Sequence, residues 1–221
     1  MTAMLKKNKV TLIVTTLVML LPMVVGLLLW NRLPEQVPSH WNINGEIDAW
    51  SSRAFAVFFL PGLLLGIHWL CVFASTADPK SKDYHPTMIR LALWICPVLG
   101  LIMSSLMYAV ALGYSLRIEI IMPLLVGLMF IIVGNLLPKC RQSYTMGIKL
   151  PWTLASEENW NKTHRFGGKV WVAGGVVTLV TAILGSFWIL LGVLIAIAAA
   201  PTIYSYALYH KQKEASHEND Q

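Results

Sequence analysis

Charged side chains are scarce in this 221-residue chain. Lysine, arginine, aspartate and glutamate together make up 13% of it, whereas 56% of the residues are hydrophobic. An average soluble domain carries about 25% charged residues. The composition therefore excludes an ordinary soluble domain, and the few charges stand between long apolar runs.

Cysteine is scarce as well, with only Cys71, Cys96 and Cys140 in the whole chain. The first two fall in apolar runs. The third lies in a segment that we expect on the cytoplasmic side, where thiols stay reduced. We therefore expect no disulfide bonds.

Five apolar runs contain no charged residue. A helix needs about 20 apolar residues to cross a hydrocarbon core of about 30 Å. The last run is long enough for two crossings, and Gly185-Ser186 supplies a turn in its middle. The sequence predicts an all-α polytopic membrane protein of one domain, with six spans at about 10–30, 54–77, 90–113, 118–138, 168–185 and 187–209.

Lysine and arginine predict the orientation of these spans. Fourteen of them fall in segments on the side of the N-terminus and only three, Arg32, Arg53 and Arg117, on the other side. Because positive residues accumulate on the cytoplasmic side, both termini are expected inside, with an outer loop at 31–53 and a cytoplasmic loop at 139–167. The basic pI of 9.3 is then explained by attraction to anionic lipid, and no nucleic-acid binding is expected.

His68 is the one titratable side chain well inside a predicted span. An ionisable residue at that depth is a functional candidate by default. Its own helix offers no acidic partner. We therefore favour a neutral histidine that is hydrogen-bonded to a neighbouring helix over a proton relay.

The outer loop is dense in side-chain chemistry. Asn44-Gly45 is a turn signal and predicts a small hairpin-like cap. Its candidate site residues are His40, Trp41, Asn42, Gly45, Asp48 and Trp50. Two interpretations stay open, a structural lid packed by Trp41 and Trp50, and a docking surface for an outside ligand. A metal site would need a third ligand beside His40 and Asp48, for which Glu46 is the close candidate, and we expect no metal.

The cytoplasmic loop predicts a short amphipathic helix on the membrane surface. Pro151 ends any earlier helix, Thr153 or Ser156 begins the new one, and Gly167-Gly168 terminates it. Two interpretations stay open here too. Trp152 and Trp160 anchor the helix at the interface, or the loop is a platform for a cytoplasmic protein.

Two groups of residues resemble known families. Gly134-Asn135, Pro138-Lys139, the string Gly147-Ile-Lys-Leu-Pro-Trp-Thr-Leu154, Glu158, Trp160, Thr163-His164 and Gly167-Gly168 resemble the SdpI family of bacterial membrane proteins, which give immunity to a secreted killing peptide. The outer segment, from Leu33-Pro34 through His40-Trp41-Asn42, Gly45, Asp48 and Trp50, resembles a small membrane domain of unknown function often found N-terminal in that family. Lys149 stands where the family usually has arginine, and Ser143 where asparagine is expected.

The resemblance implies a non-enzymatic immunity protein of the bacterial cytoplasmic membrane, without a cofactor. A secreted peptide toxin would meet the outer motif. A small transcriptional repressor would be held at the cytoplasmic loop, where the candidate residues are Lys149, Pro151, Trp152, Thr153, Trp160, His164 and Arg165.

Two other classes of function stay open. One is a transporter or exporter of a small or amphipathic solute, for which only His68 offers a polar group at the midplane. The other is a membrane metal-dependent hydrolase that uses His40, Asp48 and Glu46. The sequence contains no Ser-His-Asp arrangement or His-Glu-x-x-His pattern that would favour an enzyme.

Overall fold

The computed structural model describes residues 3–184 and 187–219. Within them, six helices are long and apolar enough to cross a membrane, as predicted. The predicted turn at Gly185-Ser186 lies outside the described residues. In chain order the elements are α1 (Ala3–Lys7), α2 (Lys9–Leu28), β1 (Gln36–Trp41), β2 (Ile47–Ser52), α3 (Leu60–Ala77), α4 (Pro86–Ala111), α5 (Ile118–Leu136), α6 (Pro151–Ala155), α7 (Glu157–Leu184) and α8 (Phe187–Asn219).

The sequence predicts a single membrane domain, and the contacts within the chain cluster into two compact units. The first unit comprises Met1–Ala77 and Ile89–Ile118, and the second comprises Asp78–Met88 and Glu119–Gln221. The hairpin therefore belongs to the first unit, and α6, α7 and α8 belong to the second.

The first unit is built around the end of α2 and the base of the hairpin. Tyr108 of α4 donates its hydroxyl hydrogen to the carbonyl oxygen of Pro22 in α2, at 3.1 Å. This bond satisfies a buried phenol that would otherwise be costly in an apolar environment. The core cluster around it consists of Leu33, Val37, Ala56, Val57, Met107 and Tyr108.

Among the described residues, the hairpin of β1 and β2 is the one β-sheet. β1 and β2 pair antiparallel, with register irregularities between Pro38 and Trp41. The turn has Gly45 at φ 79°, and the side chain of Asn42 accepts the backbone N–H groups of Asn44 and Glu46. The Asn-Gly turn signal works here because glycine takes a positive φ without steric cost.

The second unit brings α5 and α7 very close together. A side chain on Gly168 would begin 2.6 Å from the carbonyl oxygen of Gly134, and one on Gly175 would begin 2.6 Å from that of Gly127. The two contacts lie one heptad apart and run in opposite directions, so the helices are antiparallel. Small residues allow such backbone approach in membrane helices.

Of the predicted helix boundaries around 151–168, the start at Ser156 is confirmed and the other two are wrong. Ser156 Oγ accepts a hydrogen bond from the Asn159 N–H at 3.2 Å, and α7 begins at the next residue. Pro151 begins the five-residue α6 instead of ending a helix, and α7 runs unbroken from Glu157 to Leu184. The predicted surface helix is therefore continuous with the fifth span, which begins at Glu157 instead of near 168. Gly167 and Gly168 do not terminate α7. Both are buried against other segments of the protein, so closely that a side chain at either position would clash.

Candidate functional site

The hairpin exposes its polar side chains. His40 Nδ1 lies 2.6 Å from Asp48 Oδ1, and the two side chains are 68% and 42% exposed. The Asn42 amide donates to Glu46 at 2.9 Å. Trp41 packs against the core cluster of the first unit, whereas Trp50 is 54% exposed. Trp50 thus does not share the packing expected of the lid, and the His40–Asp48 pair is open to a ligand.

Arg53 fixes the base of the hairpin, a role that sequence reasoning missed. Its guanidinium donates to the carbonyl oxygens of Trp30 and Leu33, and lies 4.4 Å from the centre of the Trp30 ring. These carbonyls belong to the turn that follows α2. The signal was available, since Arg53 is a lone cation between the hairpin and a span.

The described residues also bear on the metal interpretation. Among residues 3–184 and 187–219, no three histidine, cysteine, aspartate or glutamate side chains are grouped so that they could hold a metal ion. Glu46, the proposed third ligand, accepts a hydrogen bond from Asn42 instead.

His68 lies in the first unit with 1% of its surface exposed. Its Nε2 is 3.4 Å from Thr15 Oγ1 on α2, and that hydroxyl donates to the Leu12 carbonyl oxygen at 3.1 Å. Because the threonine proton is already used, the imidazole donates from Nε2 in this geometry. Its Nδ1 has no partner among the described residues. This contact fits the hydrogen bond to a neighbouring helix that we expect of His68.

We name residues 140–156 the signature loop, since they contain the Gly147–Leu154 string. Trp160 and His164 of α7 are buried and form hydrogen bonds with the backbone of this loop. Trp160 is fully buried and donates its indole N–H to the Cys140 carbonyl oxygen at 2.7 Å. His164 accepts the Ile148 N–H on Nε2 at 2.8 Å and donates from Nδ1 to the Trp160 carbonyl oxygen at 2.8 Å. The histidine is therefore the neutral Nδ1–H tautomer.

The burial of these residues corrects the predicted partner surface. Thr153, Trp160 and His164 are at most 1% exposed, so they cannot contact a cytoplasmic protein in this conformation. For the same reason Trp160 is not an interfacial anchor. Lys149, Pro151 and Arg165 remain exposed.

Gly147 shows why the signature string begins with glycine. Its φ is +104°, a conformation that other residues rarely adopt. A side chain there would also begin 2.5 Å from His164 Nε2 and 2.7 Å from the Trp160 ring. The backbone must therefore pass directly over the stacked Trp160 and His164 rings, and only glycine fits.

The rest of the string builds α6 and attaches it to α8. Thr153 Oγ1 accepts the Leu150 N–H at 2.9 Å, which caps the helix that Pro151 begins. Trp152 donates its indole N–H to Ser205 Oγ at 2.9 Å, and Asn159 donates to the Ser205 carbonyl oxygen at 2.9 Å. Trp152 is thus held by α8, with its ring against Tyr206 and Tyr209.

Asp78 is the buried acid of the second unit, and sequence reasoning missed it. It is 4% exposed and accepts hydrogen bonds from the Tyr84 hydroxyl at 2.5 Å and the backbone N–H groups of Lys80, Tyr144 and Thr145 at 2.8–3.0 Å. Burial by itself raises the pKa of Asp78, but these hydrogen bonds outweigh it and hold the pKa below its usual value. Burial and Asp78 together raise the pKa of Tyr84 to about 12.

Comparisons with known proteins match the signature loop and the hairpin to two different families. The model of the SdpI/YfhL protein family matches residues 139–205, which include the signature loop. A domain of unknown function, DUF1648, matches residues 17–65, which include the hairpin. Immunity protein SdpI of Bacillus subtilis (strain 168) is 30% identical over 209 residues, covering 95% of this chain and 97% of that protein. The chain belongs to the SdpI family.

As an SdpI-family member with six apolar helices, the chain is a multi-pass protein of the cell membrane. The homology supports the role of a membrane immunity protein. No solved structure matches the chain.

Proposed function

We propose that this SdpI-family protein protects its own cell against a secreted peptide toxin, without catalysis. The supporting observation is the breadth of the match to the immunity protein, which covers nearly the whole of both chains. The hairpin and the signature loop both lie inside the matched length. The hairpin offers an exposed His40–Asp48 pair and an exposed Trp50 for the toxin.

The sidedness of the proposal follows from charge and from one contact. The fourteen-to-three distribution of lysine and arginine assigns the hairpin to the outside and the signature loop to the inside. The segment after the second span and the loop after the fourth span should then share a side. Asp78 and Thr145 of these two segments are hydrogen-bonded, which supports the alternation.

A second part of the proposal is signalling. The signature loop presents Lys149 and Pro151 at its surface, with Trp152 partly exposed, and Arg165 of α7 is exposed as well. A cytoplasmic repressor with an acidic patch would be captured there when toxin is bound outside. Such coupling requires that the toxin binds two conformations with different affinity.

The contacts of the other candidate residues favour neither alternative function. A proton-coupled transporter would need a carboxylate beside His68, whereas the hydrogen-bond partner of His68 is Thr15. His40 and Asp48 pair in the open, whereas an enzyme needs a protected site.

Deletion of the gene in its source organism tests the proposal without knowledge of the toxin. The deletion strain should be killed by cell-free medium from its parent, protease treatment of the medium should abolish the killing, and a restored gene should rescue growth. Survival of the deletion strain equal to that of the parent would refute the immunity role.

A further inference from the structure

The segment that joins α3 to α4 clamps the signature loop through several groups. Lys80 donates its ammonium to the Gln142 side-chain oxygen, and that ammonium lies 5.8 Å from the centre of the Tyr144 ring. Tyr84 contacts the Thr145 hydroxyl, and both contact the Asp78 carboxylate. Asp78 is the centre of the clamp because its carboxylate accepts hydrogen bonds from the Tyr84 hydroxyl, the Thr145 hydroxyl and the backbone N–H groups of Lys80, Tyr144 and Thr145.

The backbone of two residues, Tyr144 and Thr145, connects Asp78 to Lys149. Their N–H groups, of Tyr144 and Thr145, donate to one oxygen of Asp78 at 2.8 and 3.0 Å. Their carbonyl oxygens accept from the Lys149 ammonium at 3.3 Å each. The Asp78 carboxylate thus binds the N–H groups of residues 144 and 145, and the Lys149 ammonium binds their carbonyl oxygens. Both ties are to ionised groups, but the carboxylate is the firmer one, because its hydrogen bonds are shorter and Asp78 is buried whereas Lys149 is exposed.

We propose that Asp78 is a positioning residue that sets the backbone at 144–145 and thereby places Lys149, the exposed cation of the signature string. The purpose of this arrangement rests on the proposed function, since Lys149 would meet the acidic partner. The inference that Asp78 sets the backbone of the loop does not rest on that function.

Hydrogen exchange of the Tyr144 and Thr145 amides tests the structural part. Asp78→Asn should speed exchange of both by about tenfold or more, because it removes a charged acceptor from two backbone donors. Asp83→Asn is the matched control, since Asp83 is an exposed carboxylate in the same segment, and it should leave both rates unchanged. Tyr84→Phe should show a smaller acceleration and serves if Asp78→Asn does not accumulate. Equal rates in wild type, Asp78→Asn and Tyr84→Phe would overturn the proposal.

Transcription of the gene from its own promoter tests the purpose. Medium from the parent strain should induce it in wild type, and Asp78→Asn or Lys149→Ala should reduce the induction about tenfold while survival is kept. The double variant should be no worse than Lys149→Ala, because Asp78 acts through Lys149. Additive losses, or loss of survival together with induction, would contradict a positioning role.

The two hypotheses fail in different ways. Absence of induction in wild type would refute the proposed signalling, and with it the purpose given to Asp78. Faster amide exchange in Asp78→Asn would still show that this residue sets the loop.

Discussion

The hairpin and the signature region use the same kinds of side chain in opposite ways. We call the signature loop, together with Asp78 and residues 157–165 of α7, the signature region. The hairpin pairs His40 with Asp48 in the open, whereas the signature region buries His164 and Asp78. An exposed ion pair contributes about 0–1 kcal/mol to stability. A buried polar group that loses its partner costs about 1–3 kcal/mol. Side chains of the hairpin are therefore available for a ligand, while those of the signature region shape the loop.

The largest expected effect is that of Gly147→Ala. The substitution places a side chain at φ +104° and within 2.5 Å of His164 Nε2, so it should destabilise the second unit by about 2 kcal/mol or more. Thermal unfolding in detergent measures this. Gly113→Ala is the matched control, because Gly113 has φ +91° but open space around it, and should cost about 1–2 kcal/mol. Equal losses would mean that the contact with the rings is unimportant.

Trp160→Phe is expected to rank next. It leaves the buried Cys140 carbonyl oxygen without its indole donor, at a cost of about 1–3 kcal/mol. Cys140 should also become reactive towards a maleimide in a Cys71→Ser, Cys96→Ser background. In the intact loop it is buried, which raises the pKa of its thiol to about 11 and suppresses the thiolate. Trp50→Phe, on the exposed hairpin, should change neither the stability nor the reactivity of Cys140. An effect as large as that of Trp160→Phe would contradict the difference between the hairpin and the signature region.

Acid should weaken the signature region through Asp78. Its folded pKa lies below the ordinary 3.8, so its stabilisation is complete above that value and is lost as pH falls through the lower folded pKa. The difference in unfolding temperature between wild type and Asp78→Asn should therefore be largest near neutral pH and shrink below about pH 4. A difference that grows on acidification would contradict the assignment.

The smallest effects on stability are expected in the hairpin. His40→Ala and Asp48→Ala should each change stability by less than about 1 kcal/mol, because the pair is exposed. Both should nevertheless reduce survival in medium from the parent strain. Glu35→Ala, an exposed acid at the base of the same hairpin, is the control and should retain protection. Full protection in both variants would remove the pair from the mechanism.

Local patterns predicted much of the fold. The spans follow from charge-free runs, since a charge inside the hydrocarbon core is costly, and the hairpin follows from Asn44-Gly45. Gly167-Gly168 misled because glycine often ends helices, whereas here it allows α5 and α7 to approach.

The site was less accessible from the sequence. Asp78 meets Tyr144 across 66 residues, and no local pattern reports such a contact. Trp160 and His164 share a helix face by their spacing of four residues, but whether that face points to solvent or to the signature loop depends on tertiary packing.

The central claim is that the hairpin lies on the outer side of the membrane and the signature region lies on the cytoplasmic side. Labelling of intact cells with a membrane-impermeant maleimide tests it, in a cysteine-free background that carries either Ile43→Cys or Lys162→Cys. Both positions are exposed, at 63% for Ile43 and 51% for the Lys162 side chain. The account predicts immediate labelling at position 43 and labelling at position 162 only after permeabilisation. The reverse pattern would contradict it.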